Sequence, residues 1–195
     1  MLGRFVTEQP PCSILVRGIE ADVLPVAQRC GMGVLSRSPL AGGWLTGRYR
    51  TGRPAPTSSR AERLPGRYDL SDPDNQRKLE AAEALAVLAE QAGMSLIHLA
   101  LAFVLAHPAV TAPIIGPRTM EQLESQLGAL DVTLSTDVLD AIDNIVPPGV
   151  TLARADTGYL PPALQDPFLR RRCCIEAKSV LAVDQRVSQD PSSAR

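Results

Sequence analysis

PIIGPRTMEQLESQ, residues 113–126, runs from an apolar pair through a glycine and an arginine into a helical pattern. Ile114 and Ile115 supply the apolar run of a short buried strand, and Gly116 allows either a sharp backbone turn or the close approach of a ligand. Thr119 stands at an N-cap position with Gln122 three residues on, the spacing of a capping box. Leu123, Leu127 and Leu130 recur behind it as a buried helical stripe. Unpaired N–H groups and the positive dipole end at such a helix start attract anions, and Arg118 adds a planar, permanently charged fork. The stretch reads either as an anion site or as an ordinary strand–helix unit with a surface arginine.

Upstream, Leu96 to Ala106 is apolar on most sides, has Ser95 as its cap and reaches His107 before Pro108, so it is expected as a deeply buried helix. It is too short to span a membrane. Gln76 to Ala92, capped by Asp74 or Asn75 and stopped by Gly93, carries Leu79, Ala82, Leu85, Ala86 and Ala89 on one stripe. Nearer the start, Phe5 and Val6 lead into an extended Gln9–Pro11. Ile19 to Cys30 places Ile19, Val23, Val26 and Ala27 on one helical face, and Gly31 ends that helix. Met32, Val34 and Leu35 form a second buried strand. Downstream, Ser135 caps a helix with Asp137 in its first turn and Val138, Leu139, Ile142 and Ile145 on its apolar side, ending before Pro147. Strand and helix alternate, with strands short and apolar enough to be covered on both faces, which predicts an α/β fold with a parallel sheet. Residues from about 42 to 75 are rich in Gly, Pro, Ser and Arg without a period, a long loop of the kind that serves as a lid or linker. After Arg172 the periodic signal ends, and residues 173–195 are expected as a disordered tail.

The chain has 195 residues, 45% hydrophobic and 21% charged, with a formal net charge of −1, which suits one globular domain with an adequate core. Balanced charge and only 4% aromatic residues argue against nucleic-acid binding. Positive charge is almost all arginine, Lys78 and Lys178 being the only lysines. Cys12, Cys30, Cys173 and Cys174 lack zinc spacing and suggest no disulfide framework. With no signal-peptide pattern in Met1–Cys12, the expectation is a reduced cytoplasmic protein without a metal and without a membrane span.

Two stretches together resemble the aldo-keto reductase family: GMGVLSRSPLAGGWLTGRY at Gly31–Tyr49 and PIIGPRTMEQLESQLGALDVTLSTDVLDAID at Pro113–Asp143. Glu8–Gly31 and Asp156–Arg172 are similar to it as well, so the resemblance covers about Phe5 to Arg172. It implies that residues 1–172 are part of an eight-stranded (β/α) TIM barrel with NADP(H) across the carboxyl ends of the strands. The barrel is incomplete: about the last three βα units are present, with an extra C-terminal helix and the tail. The resemblance puts Gln9 on the nicotinamide carboxamide and wraps Ser38, Pro39, Leu40, Ala41 and Gly42 around the pyrophosphate. Arg48 and Arg60 lie on the lid over the phosphates, and Gly116, Arg118, Gln122 and Gln126 serve the adenosine end and its 2′-phosphate. Arg37 stands where the family usually has an aromatic ring stacked on the nicotinamide, and its charge disfavours the oxidised ring. Cys12 and Cys30 replace frequent tyrosines, and Ser125–Gln126 replaces a commoner Glu-Asn pair.

The family's catalytic aspartate, tyrosine, lysine and histidine belong to the first half of the barrel, which has no counterpart here. Neither lysine follows a strand; Tyr49, Tyr68 and Tyr159 read as packing or surface residues, and His98 and His107 belong to a helix interior and a helix end. No catalytic residue is therefore assigned. Three strands cannot close a barrel, so both outer strands expose backbone donors and acceptors. The function implied for the complete protein is hydride transfer between NADP(H) and an aldehyde or ketone; either another polypeptide supplies the missing half, or the chain is a truncated product or part of a longer one. The alternatives are an inactive NADP(H)-binding module or regulatory subunit, and a non-functional truncated remnant.

Overall fold

A computed structural model describes residues 3–158 and 161–169. The chain divides between Gly158 and Tyr159. In the first unit three parallel strands, β1 (Thr7–Glu8), β2 (Gly33–Arg37) and β3 (Val110–Ile114), lie in the order β1-β2-β3. Helix α1 (Val23–Cys30) links β1 to β2, and α2 (Ser59–Arg63), α3 (Pro73–Gln91) and α4 (Leu96–Ala106) lie between β2 and β3. Helices α5 (Met120–Leu127) and α6 (Thr136–Ile145) follow β3. The second unit shows a short helix, α7 (Pro162–Gln165), and a 3-10 turn at Pro167–Leu169. The expected tail and Tyr159 lie outside the described residues. Among the described residues no single helix is long and apolar enough to cross a membrane.

Strand register carries one irregularity, between Val34 and Leu35, where β3 advances from Val110 to Ala112. Thr111 is the skipped residue, and its hydroxyl accepts the Val34 N–H at 3.1 Å, so the donor freed by the bulge stays bonded. β3 begins four residues upstream of the expected Ile114–Ile115 pair and ends at Ile114, which is 41% exposed. The expectation of strands covered on both faces is corrected. Val34 packs against Leu24, Ala27 and Ala109 on one side. Leu35 and Arg37 on the opposite side are only half-buried.

Three helix expectations also change. The helix expected over Ile19–Cys30 breaks into a 3-10 turn at Gly18–Glu20 and α1 from Val23. Pro25 lacks the N–H and its ring would clash with the carbonyl four residues earlier, so an α-helix cannot run through from Ile19. Leu24 and Ala27 are then the buried pair, and Val26 is 55% exposed. α3 is capped by Asp72, whose carboxylate accepts the Asp74 N–H at 2.8 Å, with Pro73 at the first helical position, where a missing N–H costs nothing. Asn75, offered as a cap, is buried and donates instead to the Gly66 and Asp69 carbonyls. In α5 the leucine stripe is not buried: Leu127 is 48% and Leu130 68% exposed, and Gln126 is the buried residue. The α5 side turned to α4 carries Ser125, whose carbonyl meets His98 Nε2 at 2.8 Å, and it runs on into Gly128, where a Cβ would sit 3.0 Å from that ring.

The core forms around α4, whose Leu99 and Val104 are fully buried, together with Trp44, Leu45, Leu85 and Ile142. Ser95 and Ser135 cap α4 and α6 as expected, and Gly31 ends α1 in the left-handed conformation. The long loop enters this core through its aromatics. Trp44 stacks on Tyr49 at 4.3 Å and on Tyr68 at 5.9 Å between ring centroids. That stack gives residues 42–75 apolar burial that their composition conceals. Buried Arg17 closes the other end, bonding Glu20 and Asp143 and lying 5.0 Å from the Phe103 ring.

Candidate cofactor site

β2 runs directly into Ser38–Gly43, where the backbone turns repeatedly through the left-handed region: Ser38 at φ 60°, Ala41 at 49°, Gly42 at 71° and Gly43 at 108°. Two of these residues are not glycine, and each such conformation costs about 1–3 kcal/mol, strain that concentrates at ligand sites. The turn is stitched by Ala41 N–H to Ser38 O at 2.8 Å and Gly43 N–H to Leu40 O at 2.9 Å. Successive reversals of this kind form concave nests of peptide dipoles suited to anions. Pro39 and Ala41 are buried, Leu40 and Gly42 half-buried, and Ser38 exposed.

Two arginines of the long loop converge on this turn. A Cβ at Gly42 would lie 3.5 Å from Arg60 Nη1, and one at Gly43 would lie 3.6 Å from Arg48 Nη2. Arg60 belongs to α2, capped by Ser58, whose hydroxyl accepts the Ala61 N–H at 3.1 Å. Its neighbour Ser59 is approached by Arg118 Nη2 at 3.4 Å, a long contact that brings the β3–α5 turn to the same helix, α2. Arg17, Arg50, Arg67 and Arg77 each hold a carboxylate. Among the described residues none lies within ion-pairing distance of Arg37, Arg48, Arg60 or Arg118; Arg4, Arg29, Arg53, Arg63 and Arg154 are likewise unpaired.

At the start of α5, Thr119 Oγ1 accepts the Gln122 N–H at 3.2 Å, the expected cap. The reciprocal bond is displaced by one residue: Gln122 Oε1 accepts from Arg118 N–H at 2.9 Å, not from Thr119. One donor at the helix start is thereby consumed, and Gln122 keeps its amide N–H₂ for another partner. Gly116 is not in the left-handed region and a Cβ there would meet nothing within 4 Å, so the sharp-turn role is corrected and open approach remains. Gln126 is buried with its Oε1 lacking a hydrogen bond, as is Ser36 Oγ beneath β2. Gln9 is exposed at the end of β1. Arg37 is fixed through its backbone to Pro10 and Cys12, and its Nη2 stands 2.8 Å from where Gly158 would carry a Cβ.

The sequence patterns missed a buried network behind the turn. Lys78 is fully buried; its Nζ donates to Asp156 Oδ2 and to the Arg67 carbonyl, both at 2.9 Å, and sits 4.7 Å from the Trp44 ring centroid. Burial lowers its pKa and Asp156 opposes that. Arg67 Nε reaches Asp156 Oδ1 at 2.7 Å. Tyr68 donates its hydroxyl to the Gly42 carbonyl at 3.0 Å. Burial raises the pKa of both Tyr68 and Tyr49. The one available signal was the rarity of lysine in an arginine-rich chain.

Residues 3–147 match the model of the aldo/keto reductase family. The chain belongs to that family. It is 41% identical over 143 residues to the "Uncharacterized oxidoreductase YrpG" of Bacillus subtilis (strain 168), an alignment covering 73% of this chain and 41% of that protein. To "Protein tas" of Escherichia coli (strain K12) it is 34% identical over 144 residues, 74% of this chain and 40% of that one. To "L-glyceraldehyde 3-phosphate reductase" of the same strain it is 33% identical over 149 residues, 74% and 42% respectively. The chain thus spans about two-fifths of the length of these curated relatives.

Proposed function

We propose that this chain is the cofactor-holding portion of an NADP(H)-dependent aldo-keto reductase, which in complete form transfers hydride between NADP(H) and an aldehyde or ketone. The observation that carries the reading is the convergence of Arg48 and Arg60, neither within ion-pairing distance of a carboxylate among the described residues, on the strained Ser38–Gly43 turn, with Arg118 reaching the helix that carries Arg60. A dinucleotide carrying an extra phosphate is an anion of that size and charge.

The residues fit the group. Ser38–Gly42 would wrap the diphosphate, with Arg48 and Arg60 over it, and residues 42–75 act as the lid. Gly116, Arg118, Gln122 and Gln126 would take the adenosine end; the amide oxygen of Gln126, buried and unbonded, is an acceptor in need of a donor such as an amino group. Gln9 and Arg37 stand at the nicotinamide end. Bound there, the dinucleotide supplies the hydride. Among the described residues Lys78, Tyr49 and Tyr68 are committed to packing, so polarisation of the carbonyl falls to a polypeptide completing the TIM barrel against the open edges of β1 and β3. Among the described residues the thiols of Cys12 and Cys30 are free.

Arg37 favours a second reading, a regulatory NADP(H)-binding module without turnover, because a cation in place of a stacking ring weakens binding of the oxidised nicotinamide. Fluorescence titration of the chain with NADPH and NADP⁺ tests both. Saturable NADPH binding, weakened at least ten-fold in Arg118→Ala and unchanged in Arg53→Ala, is expected. Absence of binding would overturn both readings, and an unchanged Arg118→Ala would overturn the phosphate assignment.

A further inference from the structure

The network around Lys78 and Asp156 bears on the same site, and its interpretation rests on the cofactor reading above. Asn75 and Lys78 lie three residues apart on one face of α3, so both reach the same segment of the lid. Asn75 Nδ2 holds the carbonyls of Gly66 and Asp69, each at 2.9 Å, and Lys78 Nζ holds that of Arg67. The Arg67 guanidinium is meanwhile fixed on Asp156. Residues 66–69 are therefore anchored by backbone and side chain alike, and Tyr68 projects from this platform.

Its ring lies parallel to Trp44 at an interplanar angle of 1°, and its hydroxyl crosses to the Gly42 carbonyl. Gly42 must be glycine here: its φ is 71°, and a Cβ would lie 2.7 Å from that hydroxyl. Gly42 and Gly43 flank one peptide that no side chain on either residue constrains; its N–H is bonded to the Leu40 carbonyl at 2.9 Å and its carbonyl to Tyr68. Turned the other way, its carbonyl would face the anion. The Tyr68 hydroxyl holds the carbonyl end of this peptide in the orientation that the Leu40 carbonyl holds at its N–H end, and Trp44, stacked on the Tyr68 ring, lies over Lys78.

We propose that Tyr68, presented by the buried Lys78–Asp156 pair through Arg67, is a positioning residue for the diphosphate turn, keeping the Gly42 carbonyl off the bound phosphates. The effect is local to the diphosphate and does not extend to the adenosine end around Arg118.

The test uses the full chain and two ligands: NADPH, which has the bridging diphosphate, and adenosine 2′,5′-bisphosphate, which lacks it. Tyr68→Phe removes the hydroxyl and keeps the stacked ring. Loss of one hydrogen bond of about 1 kcal/mol corresponds to about five- to ten-fold in Kd. Tyr68→Phe is expected to weaken NADPH by that factor and to change the bisphosphate less than two-fold, with Lys78→Met showing the same ligand selectivity. If wild-type chain binds NADPH and Tyr68→Phe binds it equally, the positioning role is overturned while the cofactor reading stands. Equal weakening of both ligands overturns it too, as general loosening. If wild-type chain binds neither ligand, the cofactor reading itself falls and takes the proposal with it. Tyr68→Phe decides the matter even where Lys78→Met does not fold.

Discussion

Asp156→Asn and Lys78→Met remove opposite partners of one buried ion pair, yet the structure makes their costs unequal. Lys78 is completely buried, and Asp156 is its only carboxylate within ion-pairing distance among the described residues. Asp156→Asn preserves shape but leaves an ammonium facing the Arg67 carbonyl and the Trp44 ring alone. Breaking a buried pair in this way costs about 3–5 kcal/mol. The lysine can limit the cost by losing its proton. From an unfolded pKa of about 10.4, neutralisation at pH 7 costs about 4.6 kcal/mol at 1.36 kcal/mol per unit, falling to about 1.9 kcal/mol at pH 9. Lys78→Met differs because Asp156 keeps Arg67, which is partly exposed, and the loss is chiefly an unsatisfied Arg67 carbonyl, about 1–3 kcal/mol. Urea unfolding of both variants at pH 7 and pH 9 is the assay. Asp156→Asn should be the more destabilised at pH 7, and its deficit should shrink by about 1–3 kcal/mol at pH 9 while that of Lys78→Met stays constant. Equal deficits at pH 7, or a deficit of Asp156→Asn independent of pH, would refute the argument that an uncompensated Lys78 charge governs this region.

Two further outcomes are expected. Burial, reinforced by Glu20, pushes the Cys12 thiol up to about 12, whereas Cys30 is exposed, so brief iodoacetamide treatment of the folded chain at pH 8 should label Cys30 and spare Cys12 by mass spectrometry until urea is added. Rapid labelling of native Cys12 would contradict the packing around it. Hydrogen bonds from Arg50 and the Thr51 N–H hold the Glu83 carboxyl down to about 2. Its folded pKa lies below the unfolded value of about 4.3, so its stabilisation is present above that pH and lost as pH falls towards 2. Glu83→Gln should flatten the stability profile over that interval, and an unchanged acid limb would show that the Arg50 contact contributes nothing.

How much of this was legible in the chain follows from how far each interaction reaches. The caps at Ser95, Thr119 and Ser135 and the stop at Gly31 involve partners within a few residues, and they stand where local pattern puts them. The parallel arrangement of the strands follows from helices long enough to cross over between them. Where local pattern failed, something non-local or covalent intervened. Pro25 cuts short a helix that its periodicity would extend, and Asn75 is drawn from capping into holding the Gly66 and Asp69 carbonyls of the long loop. The leucines of α5 have helical spacing, but spacing cannot say which neighbour is present to cover them.

For the site the same division holds. Local pattern alone gave the glycine at 116 and the Thr119 cap; it was the resemblance to the family, carried by the sequence, that joined Ser38–Gly43 and Gly116–Gln126 into one proposed ligand region. Tertiary structure alone decided which arginines are left without carboxylates, that Gln122 spends its oxygen on Arg118 N–H, and that Lys78 meets Asp156 across 78 residues of sequence. Such pairs are set by how α3, the long loop and the segment around Asp156 pack together, and no periodicity along the chain encodes a contact between residues whose separation in sequence bears no relation to their separation in space.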